Sequence, residues 1–428
     1  MAEKKFFGTD GIRGVAGEPP LDPRTIFIIG TSLGSFLSAR GDSPRVLIGE
    51  DTRESSRWIG ETLAAGLRES GVECRSAGVL TTPGLAYLTA AERFACGAMI
   101  SASHNPYQDN GIKLFESSGY KLADTDELAV EQLLLAAISN GHPVSPYRLP
   151  LSPQHSLAQS YVEFLRRRAQ GIKPSPVRRL ILDCANGSAA ALATEVFSGL
   201  GLRLQLIAAA PDGRNINRHC GSLHMENVRR AVLAENADLG VAFDGDADRA
   251  LFVTGSGRIV NGDGVLLIAS RYRQRRGELP GGVVVGTLMT NLGLERALEG
   301  EGLRLVRTPV GDKYVLEELQ RRGASLGGEQ SGHIIFRDLA TTGDGLLTAV
   351  EMLRIVSETG QDLERLLEGF REYPQVIRNL AVREKIPLAE LPALQEQIRA
   401  SEQSLGARGR IVVRYSGTEP LLRVMVEA

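Results

Sequence analysis

Short apolar runs alternate with helical segments along most of the chain. Runs such as Arg45–Ile48 and Cys96–Ile100 are four and five residues long, which is typical of buried strands. Segments such as Trp58–Arg68 and Thr82–Arg93 carry apolar residues at helical spacing and predict helices. This alternation predicts βαβ units, in which a helix crosses from one parallel strand to the next.

The pattern occurs three times and is followed by a smaller unit. In the second unit it predicts strands Arg179–Asp183, Leu202–Ile207 and Leu239–Phe243, and in the third it predicts strands Val283–Gly286 and Leu303–Arg307. We expect an α/β fold of three similar mixed-sheet βαβ domains plus a smaller C-terminal α+β domain around a central cleft. The predicted boundaries are 1–153, 154–255, 256–371 and 372–428, with the Pro-rich stretch 143–153 as the first linker.

Composition narrows the range of partners. The chain has 428 residues, and 49 basic against 51 acidic residues give a net charge of -2, so no large field attracts nucleic acid or an anionic membrane. Four widely spaced cysteines without a CxxC pair argue against a zinc site or a disulfide framework and fit a reducing compartment. The first residues have no apolar signal core, and no apolar run approaches membrane-spanning length. We expect a cytoplasmic protein that acts on a small molecule.

The run Cys96–Ile100 ends in a hydroxyl-rich turn, Ser101-Ala-Ser-His-Asn-Pro106. Open α/β sheets place their chemistry at the carboxyl ends of parallel strands, so we expect this turn to deliver Ser103 to a crevice. A serine hydroxyl is a poor nucleophile unaided and needs a base, a metal or a phosphate already on it. The alternative is an ordinary turn with capping hydroxyls.

The strongest chemical signal is the acidic loop Asp244-Gly-Asp-Ala-Asp248, directly after a predicted strand. Carboxylates two residues apart in extended chain project to one side, and three like charges this close resist joint ionisation unless a cation lies among them. Hard oxygen ligands favour Mg²⁺ over softer metals. An EF-hand does not fit, because Gly255 occupies the position of its bidentate glutamate. A solvated acidic turn remains as the alternative.

Two stretches near the N-terminus offer cations to a site. The loop Phe7–Gly14 packs three glycines around Arg13, so its backbone can approach a ligand while the arginine offers a forked donor. Lys113 lies between apolar neighbours, either as a rim charge or as a site cation, and Ser118–Tyr120 predicts a hairpin turn after it.

Two stretches nearer the C-terminus suit a sugar phosphate. Between predicted strands 324–326 and 334–336, Glu329 and Ser331 can accept from and donate to vicinal hydroxyls, although a polar turn with glycines is the simpler interpretation. The stretch Arg414–Pro420 with Arg423 combines arginines, hydroxyls and glycine amides as a phosphate nest does. The alternative there is a hairpin with surface arginines.

One motif points to a different class of enzyme. Gly30-Thr-Ser-Leu-Gly34 matches the G-x-S-x-G elbow of serine hydrolases, which requires a strand, a turn and a helix. The helical spacing of Ile26, Ile29 and Leu33 places Ser32 inside a helix, so we do not expect an elbow.

Taken together and in this order, the motifs resemble the α-D-phosphohexomutase superfamily over essentially the whole chain. Five stretches are similar to its bacterial phosphoglucosamine mutase branch: residues 8–14, 100–106, 286–291, 328–333 and 416–420. The resemblance implies a phosphoserine domain, a metal-binding domain, a sugar-binding domain and a phosphate-binding domain, in chain order. Members usually continue into another helix after the strand with Arg-Val-Met, whereas this sequence ends at Ala428.

Residue roles follow from the resemblance by position. It implies phosphorylation of Ser103 and, at the catalytic centre, His104, Arg13, Lys113 and Arg249, with Lys113 as the proton-transfer candidate if its pKa is lowered. The implied metal ligands are Ser103, Asp244, Asp246 and Asp248, holding one Mg²⁺ per subunit. The implied substrate contacts are Glu329, Ser331, His333, Arg414, Ser416, Gly417, Thr418 and Arg423.

The implied reaction interconverts glucosamine 6-phosphate and glucosamine 1-phosphate for UDP-N-acetylglucosamine and cell-wall precursor synthesis. It proceeds through phosphoserine and a 1,6-bisphosphate, which also serves as activator. The nearest alternative is a phosphomannomutase or phosphoglucomutase. Alternatives from other classes are a serine hydrolase that uses Ser32 and a non-catalytic sugar-phosphate sensor. The sequence contains no GxxxxGK[ST], which disfavours a P-loop kinase, and it leaves the oligomeric state open.

Overall fold

The computed structural model describes residues 4–8, 10–41, 43–144, 148–416 and 420–428, and these residues build four β-sheets with their helices. The fold is mixed α/β, as the alternating pattern predicts. Each sheet is formed by a separate stretch of the chain, so we refer to four units in chain order.

The first unit has a five-stranded mixed sheet in the order β1-β5-β4-β2-β3. Strands β2, β3 and β4 run parallel, and β5 is antiparallel to both of its neighbours. The strands are β1 Ile12–Val15, β2 Arg45–Glu50, β3 Glu73–Val79, β4 Cys96–Ile100 and β5 Asp109–Glu116. The helices are α1 Pro23–Ser38, α2 Ser56–Glu69, α3 Thr82–Ala91 and α4 Asp124–Ser139.

The second unit repeats this topology in the order β10-β9-β8-β6-β7. Its strands are β6 Arg179–Asp183, β7 Arg203–Ile207, β8 Leu239–Phe243, β9 Ala250–Thr254 and β10 Ile259–Val260. Its helices are α5 His155–Ala169, α6 Ala189–Phe197 and α7 Glu226–Ala234.

The third and fourth units have smaller sheets, in the orders β12-β11-β13-β14 and β15-β17-β16. The third contains β11 Val283–Thr287, β12 Arg304–Thr308, β13 Leu326–Gly328, β14 Ile334–Phe336 and the helices α8 Gly262–Arg275, α9 Leu292–Gly300, α10 Asp312–Arg322, α11 Gly345–Thr359 and α12 Leu363–Leu366. The fourth is fully antiparallel and contains β15 Gln375–Ala381, α13 Pro392–Leu405, β16 Arg410–Tyr415 and β17 Leu421–Glu427.

The repeated topology places three loops at equivalent points. Strands β4, β8 and β13 each lie between a parallel neighbour and an antiparallel one. The serine turn follows β4, the acidic loop follows β8, and the loop with Glu329 follows β13. The three sequence signals therefore occupy corresponding strand ends.

One buried apolar cluster runs through the first three units. It includes Leu85 from α3, Tyr161 from α5 and Leu266 from α8, all fully buried. Burial of this much apolar surface is the main force that holds the units against each other. The strand-end loops are therefore held in a fixed relation to one another.

Helix α1 confirms the placement of Ser32. Asp22 caps it by accepting from the backbone N–H groups of Arg24 and Thr25, both at 3.1 Å, and Pro23 occupies its first turn. Ser32 is buried in the middle of this helix, so the hydrolase elbow is absent and Ser32 is not a nucleophile.

Several predictions of local structure are wrong. Residues 12–14, predicted as loop, belong to β1, which pairs with β5. Gly327 and Gly328, predicted as turn, continue β13 because their backbone pairs with β14. The patterns assigned no structure to β3, β9, β10, β15, α4, α11, α12 or α13.

Residues 148–153 of the Pro-rich stretch lie on the first unit. The Leu149 backbone N–H donates to the Glu61 carbonyl at 3.1 Å, and Leu149 and Leu151 pack against the apolar core beneath. No helix within the described ranges is long and apolar enough to cross a membrane.

Candidate active site

Ser103 lies at the centre of the site, directly beyond β4. Its side chain is buried, its φ of 53° is in the left-handed region, and its Oγ donates to Asp244 Oδ2 at 2.6 Å. A non-glycine residue keeps such a backbone conformation only where its surroundings impose it. The turn predicted from the sequence thus presents the serine hydroxyl to a carboxylate from the second unit.

Arg53, which the sequence analysis missed, holds the turn that contains Ser103. This residue follows β2, the parallel neighbour of β4, and its guanidinium forms a fully buried ion pair with Asp51 at 2.8 Å. Its remaining N–H groups donate to the backbone carbonyls of Ser103, Asn105, Pro106 and Asp109. A planar guanidinium with five donors suits this set, whereas a lysine does not.

Two more side chains hold the same turn. Ser101 Oγ donates to Asp51 Oδ2 at 2.7 Å and accepts the Ser103 backbone N–H at 3.0 Å. From the second unit, Asn217 Nδ2 donates to the Ser103 carbonyl at 2.9 Å and to the Asn105 carbonyl at 3.1 Å. Asp51 and Arg53 could have been suspected from the sequence, because they follow the strand next to β4.

The substitution Arg53→Lys is expected to lower kcat by about a hundredfold, because small misplacements of a reacting group are costly. It should also lower Tm, since a lysine leaves buried carbonyls unpaired. Initial rates and thermal melts measure both effects. The control is Arg57→Lys, because Arg57 is exposed and forms an ion pair with Glu61 at 3.2 Å, away from the turn. Unchanged kcat in Arg53→Lys would contradict the role of this residue in shaping the turn.

The acidic loop forms a compact carboxylate cluster beside the serine. Asp244, Asp246 and Asp248 are buried, and one oxygen from each lies within 4.8 Å of the others. Burial and the two neighbouring carboxylates hold the pKa of Asp244 well above its usual range. Burial alone would raise the pKa of Asp248, but the neighbouring His333, Lys113 and Arg249 outweigh it and hold this pKa below its usual range.

The cluster fits a hard divalent cation. Asp246 Oδ1 and Asp248 Oδ1 are buried and have no hydrogen-bond partner among the described residues, although buried polar oxygens are normally satisfied. Asp246 Oδ2 is satisfied by Lys113 Nζ at 2.8 Å and by the Thr82 hydroxyl. One oxygen of this carboxylate is therefore fixed by protein donors while the other is left for a ligand.

Lys113 is a site cation and not a rim charge. Its ammonium is buried and lies 2.8 Å from Asp246, 3.2 Å from Asp10 and 3.7 Å from Asp248. Burial alone would lower the pKa of Lys113, but these three carboxylates outweigh it and hold the pKa above its usual value. The lowered pKa that proton transfer by Lys113 requires is therefore not found in this arrangement.

Arg13 and His104 flank the same centre. Arg13 forms an ion pair with Asp10, which also contacts Lys113. His104 Nδ1 lies 3.3 Å from Ser103 Oγ. Burial, with Arg249 and Arg13 nearby, lowers the pKa of His104 to about 4, so its imidazole is neutral at pH 7.

Arg249 and His333 lie on the other side of the acidic loop. The Arg249 backbone N–H donates to Asp244 Oδ1 at 3.2 Å, and its guanidinium Nε is 3.8 Å from Asp248 Oδ1. His333 Nδ1 is 3.5 Å from Asp248 Oδ2. Although burial opposes it, the carboxylates of Asp248, Asp312 and Glu329 raise the pKa of His333 to about 9, while its Nε2 accepts the Gly343 backbone N–H at 3.0 Å.

The loop after β13 brings the third unit to the site. Glu329 Oε1 accepts the Gly311 backbone N–H at 3.2 Å, and burial raises the pKa of Glu329. Ser331 Oγ is buried without a hydrogen-bond partner in the part of the chain that the structure describes. Both side chains are thus available to a polar ligand.

The fourth unit contributes two arginines. Arg414 on β16 pairs in register with Arg423 on β17, and burial together with Arg423 lowers the pKa of Arg414. The carboxylate of Glu329 alone would raise the pKa of Arg414, so the two arginines lie within electrostatic range of the loop that follows β13. Ser416 is buried between these strands, and its carbonyl accepts Lys385 Nζ at 2.8 Å. The predicted contacts Gly417 and Thr418 lie outside the described residues.

Lys121 also links two units and was not predicted. Its ammonium bridges Asp10 of the first unit and Asp312 of the third, each at 2.5 Å. Asp312 in turn lies 3.7 Å from His333 Nε2. A continuous charged network therefore connects the N-terminal loop to the third unit.

Family models of the phosphoglucomutase/phosphomannomutase proteins match the chain in four consecutive pieces. The models of alpha/beta/alpha domains I, II and III match residues 4–140, 159–257 and 261–373, and the model of the C-terminal domain matches residues 378–428. Each piece contains most of one sheet, and only β10 and the first residues of β15 lie outside the matched ranges.

Curated relatives match over nearly the full length. A phosphoglucosamine mutase from Solibacter usitatus is 52% identical over 99% of this chain and 94% of its own length. A phosphoglucosamine mutase from Koribacter versatilis is 51% identical over 99% of this chain and 93% of its own length. The crystal structure of a phosphoglucomutase/phosphomannomutase family protein from Burkholderia thailandensis, 28% identical, superposes with a TM-score of 0.81 over 100% of this chain and 94% of that chain.

Proposed function

The chain belongs to the bacterial phosphoglucosamine mutase family, and on that premise we propose that it interconverts glucosamine 6-phosphate and glucosamine 1-phosphate. It is an isomerase of the intramolecular phosphotransferase type. The observation that carries the proposal is the contact between Ser103 Oγ and Asp244, which joins the serine turn to a buried carboxylate cluster at equivalent strand ends of two units.

The reaction that we propose begins with a phosphate on Ser103. The free hydroxyl of the bound sugar monophosphate attacks this phosphorus, and the bond between phosphorus and Ser103 Oγ breaks. In the net step the proton of the sugar hydroxyl replaces the phosphoryl group on Ser103 Oγ, and a sugar 1,6-bisphosphate forms. The bisphosphate then turns end for end in the site. Its other phosphate returns to Ser103, which regenerates the phosphoenzyme and releases the isomeric monophosphate.

Asp244, Asp246 and Asp248 are the residues that would hold a Mg²⁺ ion. When bound, the ion supplies positive charge that neutralises the transferring phosphoryl group. The chain adds positive charge of its own, because the buried Lys113 and the partly buried Arg249 lie beside the same carboxylates. Positioning and charge neutralisation account for most of the catalysis of phosphoryl transfer.

Recognition of the sugar and recognition of its distant phosphate fall to different units. Glu329 and Ser331 would hydrogen-bond to sugar hydroxyls, and His333 of the same loop contacts Asp248 of the acidic loop. Arg414, Ser416 and Arg423 would hold the phosphate that is not reacting, together with Gly417 and Thr418. An arginine pair recognises a phosphate itself, so one site can serve either orientation of the substrate.

Arg423→Ala is expected to raise KM for both monophosphates by about tenfold, because one charge-assisted contact with the phosphate is lost. It should also increase the release of bisphosphate. Phosphorylation of Ser103 should be unaffected. Initial rates in both directions and assay of free bisphosphate measure the effect. The control is Arg408→Ala, an exposed arginine of the same unit. If KM and bisphosphate release stay unchanged, β16 and β17 are only a structural hairpin.

The preference for the amino sugar is tested by relative kcat/KM on the phosphates of glucosamine, glucose and mannose. The proposal expects glucosamine 6-phosphate to be the best of the three. A higher kcat/KM on mannose or glucose phosphate would assign the chain to a phosphomannomutase or phosphoglucomutase activity instead.

Three further points belong to the proposal. The proposed division into domains 1–153, 154–255, 256–371 and 372–428 is supported in number and order by the four sheets and the four model matches, although β10 at Ile259–Val260 pairs with β9 and extends the second sheet beyond residue 255. A hexose 1,6-bisphosphate would activate the enzyme by phosphorylating Ser103. A cytoplasmic location is supported by four free cysteines.

A further inference from the structure

We propose that Thr82 is a positioning residue that fixes the Asp246 carboxylate for cation binding. The inference rests on the metal-holding role proposed above for the three aspartates. Thr82 is the first residue of helix α3 in the first unit, whereas Asp246 lies in the second unit. Nothing in the pattern around Thr82 marks it for a site.

Two hydrogen bonds join these residues. The Thr82 hydroxyl donates to Asp246 Oδ2, and the Thr82 backbone N–H donates to the Asp246 carbonyl at 3.0 Å. Both groups are buried, so solvent does not compete for them. The first N–H groups of a helix lack partners within the helix, and here one of them is satisfied by the acidic loop.

The hydroxyl contact fixes the orientation of the Asp246 carboxylate. Oδ2 of Asp246 already receives Lys113 Nζ at 2.8 Å, and the Thr82 hydroxyl is its second donor. With Oδ2 held by two donors, rotation of the carboxylate is restricted and Oδ1 is left without a partner among the described residues. The carboxylate therefore enters metal binding already oriented, and the entropy of fixing it is not lost when the ion binds.

Removal of the hydroxyl alone isolates this effect. Thr82→Val keeps the shape, the burial and the backbone N–H, whereas Thr82→Ser keeps the hydroxyl. Partners of metal-binding side chains typically change metal affinity by about 10- to 100-fold when removed. We expect Thr82→Val to weaken Mn²⁺ binding within that range and Thr82→Ser to bind close to wild type.

The experiment measures Mn²⁺ affinity of the substrate-free protein by electron paramagnetic resonance, alongside thermal melts. Thr89→Val is the matched control, because Thr89 lies in the same helix, is equally buried and donates only to the Leu85 carbonyl at 2.7 Å. It is expected to lower Tm and leave Mn²⁺ affinity unchanged. If valine is not accommodated at position 82, Thr82→Ala against Thr82→Ser gives the same comparison.

The outcomes separate this inference from the proposed function. Weak binding by Asp246→Asn and Thr82→Val, with recovery in Thr82→Ser, supports both. Loss in Asp246→Asn with wild-type affinity in Thr82→Val overturns the role of Thr82 alone. If the wild-type protein binds no Mn²⁺, or if Asp246→Asn binds it as well as wild type, the metal role of the aspartates fails and the inference fails with it.

Discussion

Replacement of Ser103 by alanine is expected to lower turnover by about 10⁴-fold or more, the scale seen when a nucleophile is removed. Ser103 Oγ is the hydroxyl that lies 2.6 Å from the acidic loop, and alanine offers no atom that can accept a phosphoryl group. The protein should remain folded, because the turn is also held by Arg53 and Asn217. Turnover assays measure the loss of activity, and intact-mass analysis should show that the variant lacks the phosphate on residue 103.

Ser101→Ala is the matched control for Ser103. Its hydroxyl is equally buried but donates to Asp51, away from the carboxylate cluster. This variant should keep a substantial part of the turnover and should still be phosphorylated. Equal loss of turnover in the two variants, both of them folded, would show that the wrong serine has been assigned.

The second large effect is expected for Asp246→Asn. The two donors on Oδ2, Lys113 and Thr82, would select the amide oxygen for that position, so the NH₂ group takes the place of Oδ1. An NH₂ group has donors where the cation needs an acceptor. Turnover should fall by more than about a hundredfold, since the metal contributes several kcal/mol of charge stabilisation.

Magnesium titration of the Asp246→Asn variant measures this loss as a rise in the half-saturating concentration. Asp212→Asn is the control, because Asp212 is exposed in the same unit and accepts backbone N–H groups of its own turn. The fold should survive in both variants. If the magnesium titration of Asp246→Asn matches that of the wild type, Asp246 is not part of the metal site.

The parts of the site that the sequence predicts are those coded by a single stretch of chain. Ser103 and the acidic loop each follow a short apolar strand, so their position at a strand end can be inferred from local pattern alone. Thr82 could not be found this way. Its contact with Asp246 exists because α3 packs against the second unit, which no local pattern describes.

The same limit explains the elements that the sequence analysis left unassigned. Helix α11 is buried over most of its length, so its position depends on the elements packed around it, which no local pattern describes. Strand β15 is largely exposed and lacks an apolar face. The sequence analysis made proton transfer by Lys113 depend on a lowered pKa. That pKa is raised instead, because the carboxylates of Asp10, Asp246 and Asp248 approach Lys113 from two units, which no local pattern shows.

A phosphoryl-transfer experiment tests the role of Ser103 most directly. The enzyme is first labelled with radioactive phosphate by a labelled hexose 1,6-bisphosphate, and the labelled peptide is identified. It is then mixed with unlabelled glucosamine 6-phosphate, with Mg²⁺ or with a chelator. The label should lie on Ser103, pass to the sugar in a single turnover with Mg²⁺, and stay on the protein with the chelator. Formation of glucosamine 1-phosphate while the label remains on the protein would contradict transfer through Ser103.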